Sequence, residues 1–248
     1  MTNKVTGGFP PEAFDELSTQ EDFSWWFCSR NQIIIWVIAK YAANFRDYLE
    51  IGCGTGYVLK GIDKAFPGNN LHGDEYFEEG LAHAKKRVPN ASFRCLDATK
   101  MEDQDCYDAL GAFDVIEHIQ DDKLALKKCF QALKKEGYLF LTVPQHMWLW
   151  SAVDEHSCHE WSAVDEHSCH VRRYSKTELM KKVENAGFTV INTRSFVSFL
   201  LPFMWISRKL PRKSTSIPKG EVQIPRWLNA CFEMAMQIEI VLIKIGIR

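Results

Sequence analysis

The stretch Tyr48-Leu49-Glu50-Ile51-Gly52-Cys53-Gly54-Thr55-Gly56-Tyr57 constrains this chain more than any other. An apolar run ends in an acid and three alternate glycines, and a helical pattern follows from Val58 to Phe66. That order predicts a first β-strand turning sharply into a helix. Alternate glycines let the backbone take a positive φ or approach a ligand closely. The helix N-terminus behind them presents N–H groups suited to a carboxylate or phosphate. Dinucleotide and nucleoside binders share such a turn, so its neighbours must discriminate.

Ahead of the turn, apolar residues at 23, 26, 27, 33, 34, 37, 38, 41, 42 and 45 recur at helical spacing. Trp25-Trp26-Phe27 and Arg30 open this helix as an aromatic–cation cluster. Either the helix packs on a sheet, or it is a lid whose Arg30 meets an anionic group. Residues 1–20, rich in Gly, Pro and acids, read as a loose lead-in. After the turn, strands are expected to end at Asp74-Glu75, Asp97-Ala98, Glu117-His118 and Val143, with Ala109–Ile116 as the fourth. Helices from Glu78 to Arg87 and Asp121 to Lys134 alternate with them. The alternation predicts an α/β fold, a doubly wound, mostly parallel Rossmann-like sheet. Ligands of such sheets lie beyond the carboxyl ends of the strands. A capping box at Ser175 and Glu178 starts a further helix to Asn185, and Phe188–Val197 is expected as a sixth strand.

The net charge of -2 gives no global argument for nucleic acid. Eight cysteines without a CxxC pair suggest reduced thiols, and the N-terminus lacks the order of a signal peptide. With no uninterrupted apolar run of spanning length, the expectation is a cytoplasmic protein. Trp150–His159 recurs unchanged as Trp161–His170, with Glu160 between. Solenoid units are longer and drift, so this reads as a recent tandem duplication or an engineered insert, with one surplus copy. In the tail, Phe196–Ile206 is almost wholly apolar, Arg208, Lys209, Arg212 and Lys213 cluster, and a very apolar helix runs from Trp227 to Ile247. These parts could pack on the domain or on a second copy in a homodimer. Alternatively, 196–213 could make a peripheral membrane contact.

LEIGCGTG at 49–56, GDEYFEEGL at 73–81, LDA at 96–98, FDVIEHI at 113–119 and LKKEGYLFLTVP at 133–144 occur in order. Over residues 21–197 the chain resembles the class I S-adenosylmethionine-dependent methyltransferases, in particular the small enzymes related to the ubiquinone-biosynthesis O-methyltransferases. The resemblance implies a domain at 21–197 carrying the duplicated loop, with an apolar helical extension at 198–248. It implies S-adenosyl-L-methionine as cofactor, with the glycine loop on its methionine part, Glu75 on the ribose diol, and Asp97 with Ala98 at the adenine. The expected cofactor-binding set is Arg30, Glu50, Gly52, Cys53, Gly54, Gly56, Glu75, Asp97, Ala98 and Asp114. An NAD-binding domain would share the glycines and Glu75, but its spacing is G-x-G-x-x-G where this chain has G-x-G-x-G. The second copy in the 150–170 segment has no counterpart in the family, and the family's antiparallel seventh strand is missing here unless residues 189–206 hold a hairpin.

Methyl transfer from a sulfonium needs no protein nucleophile, only in-line alignment and exclusion of water. A hydroxyl or amine acceptor needs a base, and His118 and His146 follow strands four and five. Asp114-Val-Ile-Glu117-His118 has the acid-x-x-acid-His form with which some relatives hold a divalent metal; many use none, and none is expected here. The expected activity is methylation of a small-molecule or lipid-like acceptor at oxygen. The alternative is a catalytically silent cofactor-binding protein acting in assembly or membrane contact.

Overall fold

The computed structural model describes residues 13–145, 172–201 and 225–246. Five parallel strands form one sheet in the order β3-β2-β1-β4-β5. They are β1 (Asp47–Ile51), β2 (Asn70–Glu75), β3 (Ser92–Cys95), β4 (Tyr107–Phe113) and β5 (Leu133–Thr142). Helices α1 (Ala13–Gln20) and α2 (Trp25–Tyr41) precede the sheet. Between strands run α3 (Tyr57–Ala65), α4 (Glu78–Arg87) and α5 (Asp122–Ala132), followed by α6 (Lys176–Asn185) and α7 (Arg226–Lys244).

Period-two alternation in the strands divides the core into two layers. Tyr48, Ala109 and Phe140 face Ile34 and Ile38 of α2 and Val58, Leu59 and Ile62 of α3. Leu49, Ile51, Leu110 and Ala112 face Ala125 and Cys129 of α5. The strand order reverses between β1 and β4, so the crevice lies where the glycine turn leaves β1 and Asp114 leaves β4.

Three expectations change. The lead-in at 1–20 contains a helix, α1, because Phe14 is buried against Phe77 and reaches the glycine turn, while Glu21 just behind it is buried too. The fourth strand ends at Phe113 rather than Ile116. Asp114 takes a φ of 56°, which no strand sustains, and Ile116–His118 forms a 3-10 turn. Phe188–Val197 is no sixth strand: Asn192 bonds the Tyr41 hydroxyl of α2 and Arg194 the Ile243 carbonyl of α7, so the segment is tied to helices rather than to the sheet edge. Its β-branched residues misled because strand preference depends on packing context. The duplicated 150–170 segment, His146 and the cations at 208–213 lie outside the described residues. No helix among the described residues is long and apolar enough to cross a membrane.

Candidate functional site

The site is assembled where β1, β2 and β4 end. Gly52, Gly54 and Gly56 take φ values of 61°, 52° and 76°. A Cβ on Gly52 would stand 2.5 Å from Val115 Cγ2, so this glycine lets the β1 turn pass under the β4 turn. At Gly54 the nearest heavy atom is Phe14 Cε1 at 3.9 Å, leaving the backbone open to a ligand. No side chain caps α3, so the turn delivers an uncapped helix N-terminus to the crevice. The Cys53 side chain is buried with Leu81 and Ala84, so this residue offers the crevice its backbone.

Glu75 ends β2 with its carboxylate turned back onto the turn. It accepts from Gly54 N at 2.9 Å, Tyr76 N at 2.8 Å and Phe77 N at 3.1 Å. Burial outweighs these three donors and raises its pKa. Asp97 follows β3 and caps a 3-10 turn, accepting from Thr99 N and Thr99 Oγ1. Burial pushes its pKa up, but the Thr99 bonds and the nearby Lys100 bring it below the usual value. Ala98, beside it, is buried in the α5-side core.

The charge distribution centres on Arg30. This buried guanidinium lies 2.7 Å from Asp114 Oδ2 and donates to the Phe113 carbonyl at 2.9 Å. Thr142 Oγ1 donates to the other oxygen of Asp114. Glu50 is buried, and its Oε2 has no hydrogen-bond partner among the described residues. Burial pushes its pKa up to about 8 even though the Arg30 charge pulls it down. Glu117 is fully buried, and burial together with the Asp114 carboxylate raises its pKa well above the usual range. Arg30 and Arg173 are the cations that act on this acidic group. Glu50, Asp114 and Glu117 thus gather three carboxyl groups around one cation, and a positively charged ligand beside them would favour their ionised forms.

His118 closes the 3-10 turn, half-buried, beside Asp114 and Glu117. Among the described residues no group of three His, Cys, Asp or Glu side chains is placed to hold a metal ion. A cleft of about 1630 Å³ opens from these three residues, bounded by Trp26, Phe27 and Ile33 of α2, the outer edge of β5 and the 187–197 segment. Its lining also reaches Glu16, Leu17 and Gln20 of α1, the helix packed over the glycine turn.

Two groupings were not anticipated. Glu21, Thr55 and Arg87 meet beside the glycine turn, where Arg87 Nη1 donates to Thr55 Oγ1 at 2.6 Å and pairs with Glu21. Tyr174, buried, donates to Asp122 Oδ2 at 2.6 Å, with its hydroxyl 3.3 Å from the Ile116 carbonyl of the turn carrying His118. Thr55 at least sits within the turn; the partners of Tyr174 are too distant in sequence to be paired by inspection.

The model of a family described as methyltransferase domain matches residues 31–193. A malonyl-[acyl-carrier protein] O-methyltransferase of Bacillus cereus is 29% identical over 157 residues, 61% of this chain and 58% of that protein. A protein of Mycolicibacterium smegmatis named as a probable S-adenosylmethionine-dependent methyltransferase is 28% identical over 171 residues, 68% and 62% of the two chains. A ubiquinone biosynthesis O-methyltransferase of Bradyrhizobium diazoefficiens is 26% identical over 104 residues, 40% of each. The matches thus span less than two thirds of those relatives' length. The solved structure of an S-adenosylmethionine-dependent methyltransferase of Thermotoga maritima superposes with a TM-score of 0.52 at 21% identity, covering 72% of this chain and 77% of that one. That likeness bears on the fold alone.

Proposed function

The chain belongs to the methyltransferase domain family of S-adenosylmethionine-dependent enzymes, and from that premise we propose that it methylates an apolar, lipid-like acceptor at oxygen. The observation that carries this reading is the junction at Asp114, Glu117 and His118, where the acidic crevice meets the large apolar cleft. The residues present fit the cofactor. The turn at Gly54 is open, Glu50 Oε2 is an unused acceptor, and a sulfonium and an ammonium would favour the ionised forms of the three carboxyl groups. Gly52 and Gly54 would face its methionine part, Glu75 its ribose, and Asp97 with Ala98 its adenine. When bound, the cofactor supplies a methyl group already activated by positive sulfur.

The chain's own residues then have three tasks. The Glu50 carboxyl, once ionised, holds positive charge at the end of β1, and Arg30 keeps Asp114 in its left-handed turn. Trp26, Phe27 and Ile33 exclude water from the acceptor side. His118 takes the proton that leaves the acceptor hydroxyl as the bond to carbon forms. The malonyl-[acyl-carrier protein] and ubiquinone-pathway relatives are both O-methyltransferases by name, which supports oxygen as the acceptor atom.

Incubation with methyl-labelled cofactor and a panel of long-chain phenols, carboxylic acids and amines tests the reading. Label is expected in the phenol or acid products, and His118→Ala should lower kcat by roughly 10²-fold while cofactor affinity is kept. Tight cofactor binding with no transfer to any acceptor would favour the silent binding protein instead.

A further inference from the structure

Helix α7 has two apolar faces, and the domain uses one. Met236, Ile240 and Ile243 are buried, with Phe232 against Trp25 of α2, and Glu239 accepts from the backbone N–H groups of Ser198 and Phe199. Half a turn away, Trp227, Cys231, Met234, Ile238, Val241 and Ile245 follow one another at intervals of 4, 3, 4, 3 and 4 residues, all exposed. The five large ones are between 53% and 69% exposed. Alternating fours and threes are the spacing of a helix–helix seam. A helix apolar on both sides is one that packs on both sides.

We propose that this seam joins two copies of the chain, with α7 of one packed antiparallel against α7 of the other across a two-fold axis. The seam reads the same from either end. Trp227 and Ile245, Cys231 and Val241, and Met234 and Ile238 are each placed symmetrically about the level of Met236. A two-fold axis at that level sets Trp227 against the partner's Ile245, Cys231 against the partner's Val241, and Met234 against the partner's Ile238. Every contact is then made twice, as an isologous interface requires. The flanking positions agree: Leu228 lies within two residues of the level of the partner's Leu242, and Gln237 within two of its own copy, so these flanks bring no like charges together.

A lipid surface suits this face less well. Its exposed charges are Arg226 and Lys244 at the two ends and Glu233 between them, where anionic headgroups favour a cationic flank. The seam runs about 27 Å along the helix. It offers on the order of 500 Å² per copy, roughly 1,000 Å² for the pair, at the lower edge of specific interfaces. The dimer is accordingly a weak one that separates on dilution.

Light scattering and sedimentation of the full chain over a range of concentrations should show a monomer–dimer equilibrium. Met234→Glu/Ile238→Glu should leave circular dichroism and cofactor affinity unchanged and abolish the dimer. Register is read by oxidation of Val241→Cys, which should give a covalent dimer through the partner's Cys231, lost again when Cys231→Ser is added. Wild-type protein should not cross-link through Cys231. The two copies of that residue lie ten residues apart along the axis, about 15 Å and beyond disulfide reach. A monomer at every concentration, or a dimer indifferent to the two glutamates, overturns the interface. A monomer that floats with anionic vesicles assigns the seam to lipid and overturns it equally. Cross-linking of wild type through Cys231 overturns the antiparallel register.

Discussion

Arg30 and Asp114 form an ion pair across the crevice, Nη2 to Oδ2 at 2.7 Å, with side chains 9% and 32% exposed. The pair joins α2 to the end of β4, and its cation also offsets Glu50 and Glu117. The anionic group that Arg30 meets is the chain's own Asp114. Ile34 and Ile38 pack α2 on the sheet, while Arg30 reaches the site.

Replacing Arg30 with Met leaves buried carboxylates without their counter-charge. Loss of one partner of such a pair costs about 3–5 kcal/mol, so Arg30→Met should lower the denaturation midpoint sharply. Adding Glu50→Gln should restore part of the loss above about pH 8, where Glu50 would ionise without its counter-charge. Urea unfolding of the two single variants and the double variant measures the coupling; simple additivity would refute it.

Glu50 links folding, cofactor and pH. Its carboxyl titrates at about 8 in the folded protein and near 4.5 when unfolded. Between those values the folded state holds the extra proton, so Glu50 adds stability below the unfolded value and loses that contribution as pH rises through about 8. Glu50→Gln should therefore flatten the fall of Tm between about pH 4.5 and 8, gaining on wild type progressively across that range and not at pH 4. Affinity for the cationic cofactor runs the other way, since the ionised carboxylate attracts it. Calorimetry should show binding to wild type tightening as pH rises through about 8, with the Gln variant insensitive.

The ends of β1 and β2 and the glycine turn are legible because their information is local. Apolar runs, alternate glycines and an acid at each strand end lie within a few residues of one another. The errors fall where distant contacts decide. Nothing near Phe14 announces that it will pack beside Gly54 and Gly80, so α1 was read as loose chain. The 188–197 run has strand composition, but its polar side chains are bonded to Tyr41 and Ile243. Local sequence also does not show that Cys53 stays in the turn by its backbone while its side chain packs with Leu81 and Ala84.

Gly52 and Gly54 separate folding from binding. A side chain at Gly52 collides with Val115 at 2.5 Å, so Gly52→Ala should chiefly lower Tm. At Gly54 there is room but a φ of 52°, and the added group enters the space a ligand would occupy. Gly54→Val should weaken S-adenosylmethionine binding by about 1–3 kcal/mol or more, beyond a modest cost of backbone strain. Melting curves and calorimetry on both variants give the comparison, and equal affinity in Gly54→Val and wild type would remove the turn from the cofactor site.

Thr55 couples the N-terminal helix to the same turn. Its hydroxyl lies 2.5 Å from Glu21 Oε2, just after α1, and accepts from Arg87 of α4, which also bonds the Ser18 carbonyl inside α1. Burial raises the Glu21 pKa, while the bonds from Thr55 and Arg87 favour its charged form. Thr55→Val keeps the shape and deletes a donor to a buried carboxylate, at a cost of about 1–3 kcal/mol. Because Phe14 and Glu21 anchor α1 over the turn, the loss should appear there first. Hydrogen exchange should accelerate in residues 13–20 of the variant while β1 and β4 stay protected. Thr55→Ser, which keeps the hydroxyl, should exchange like wild type. Unchanged protection of α1 in Thr55→Val would show that Phe14 packing alone holds the helix down.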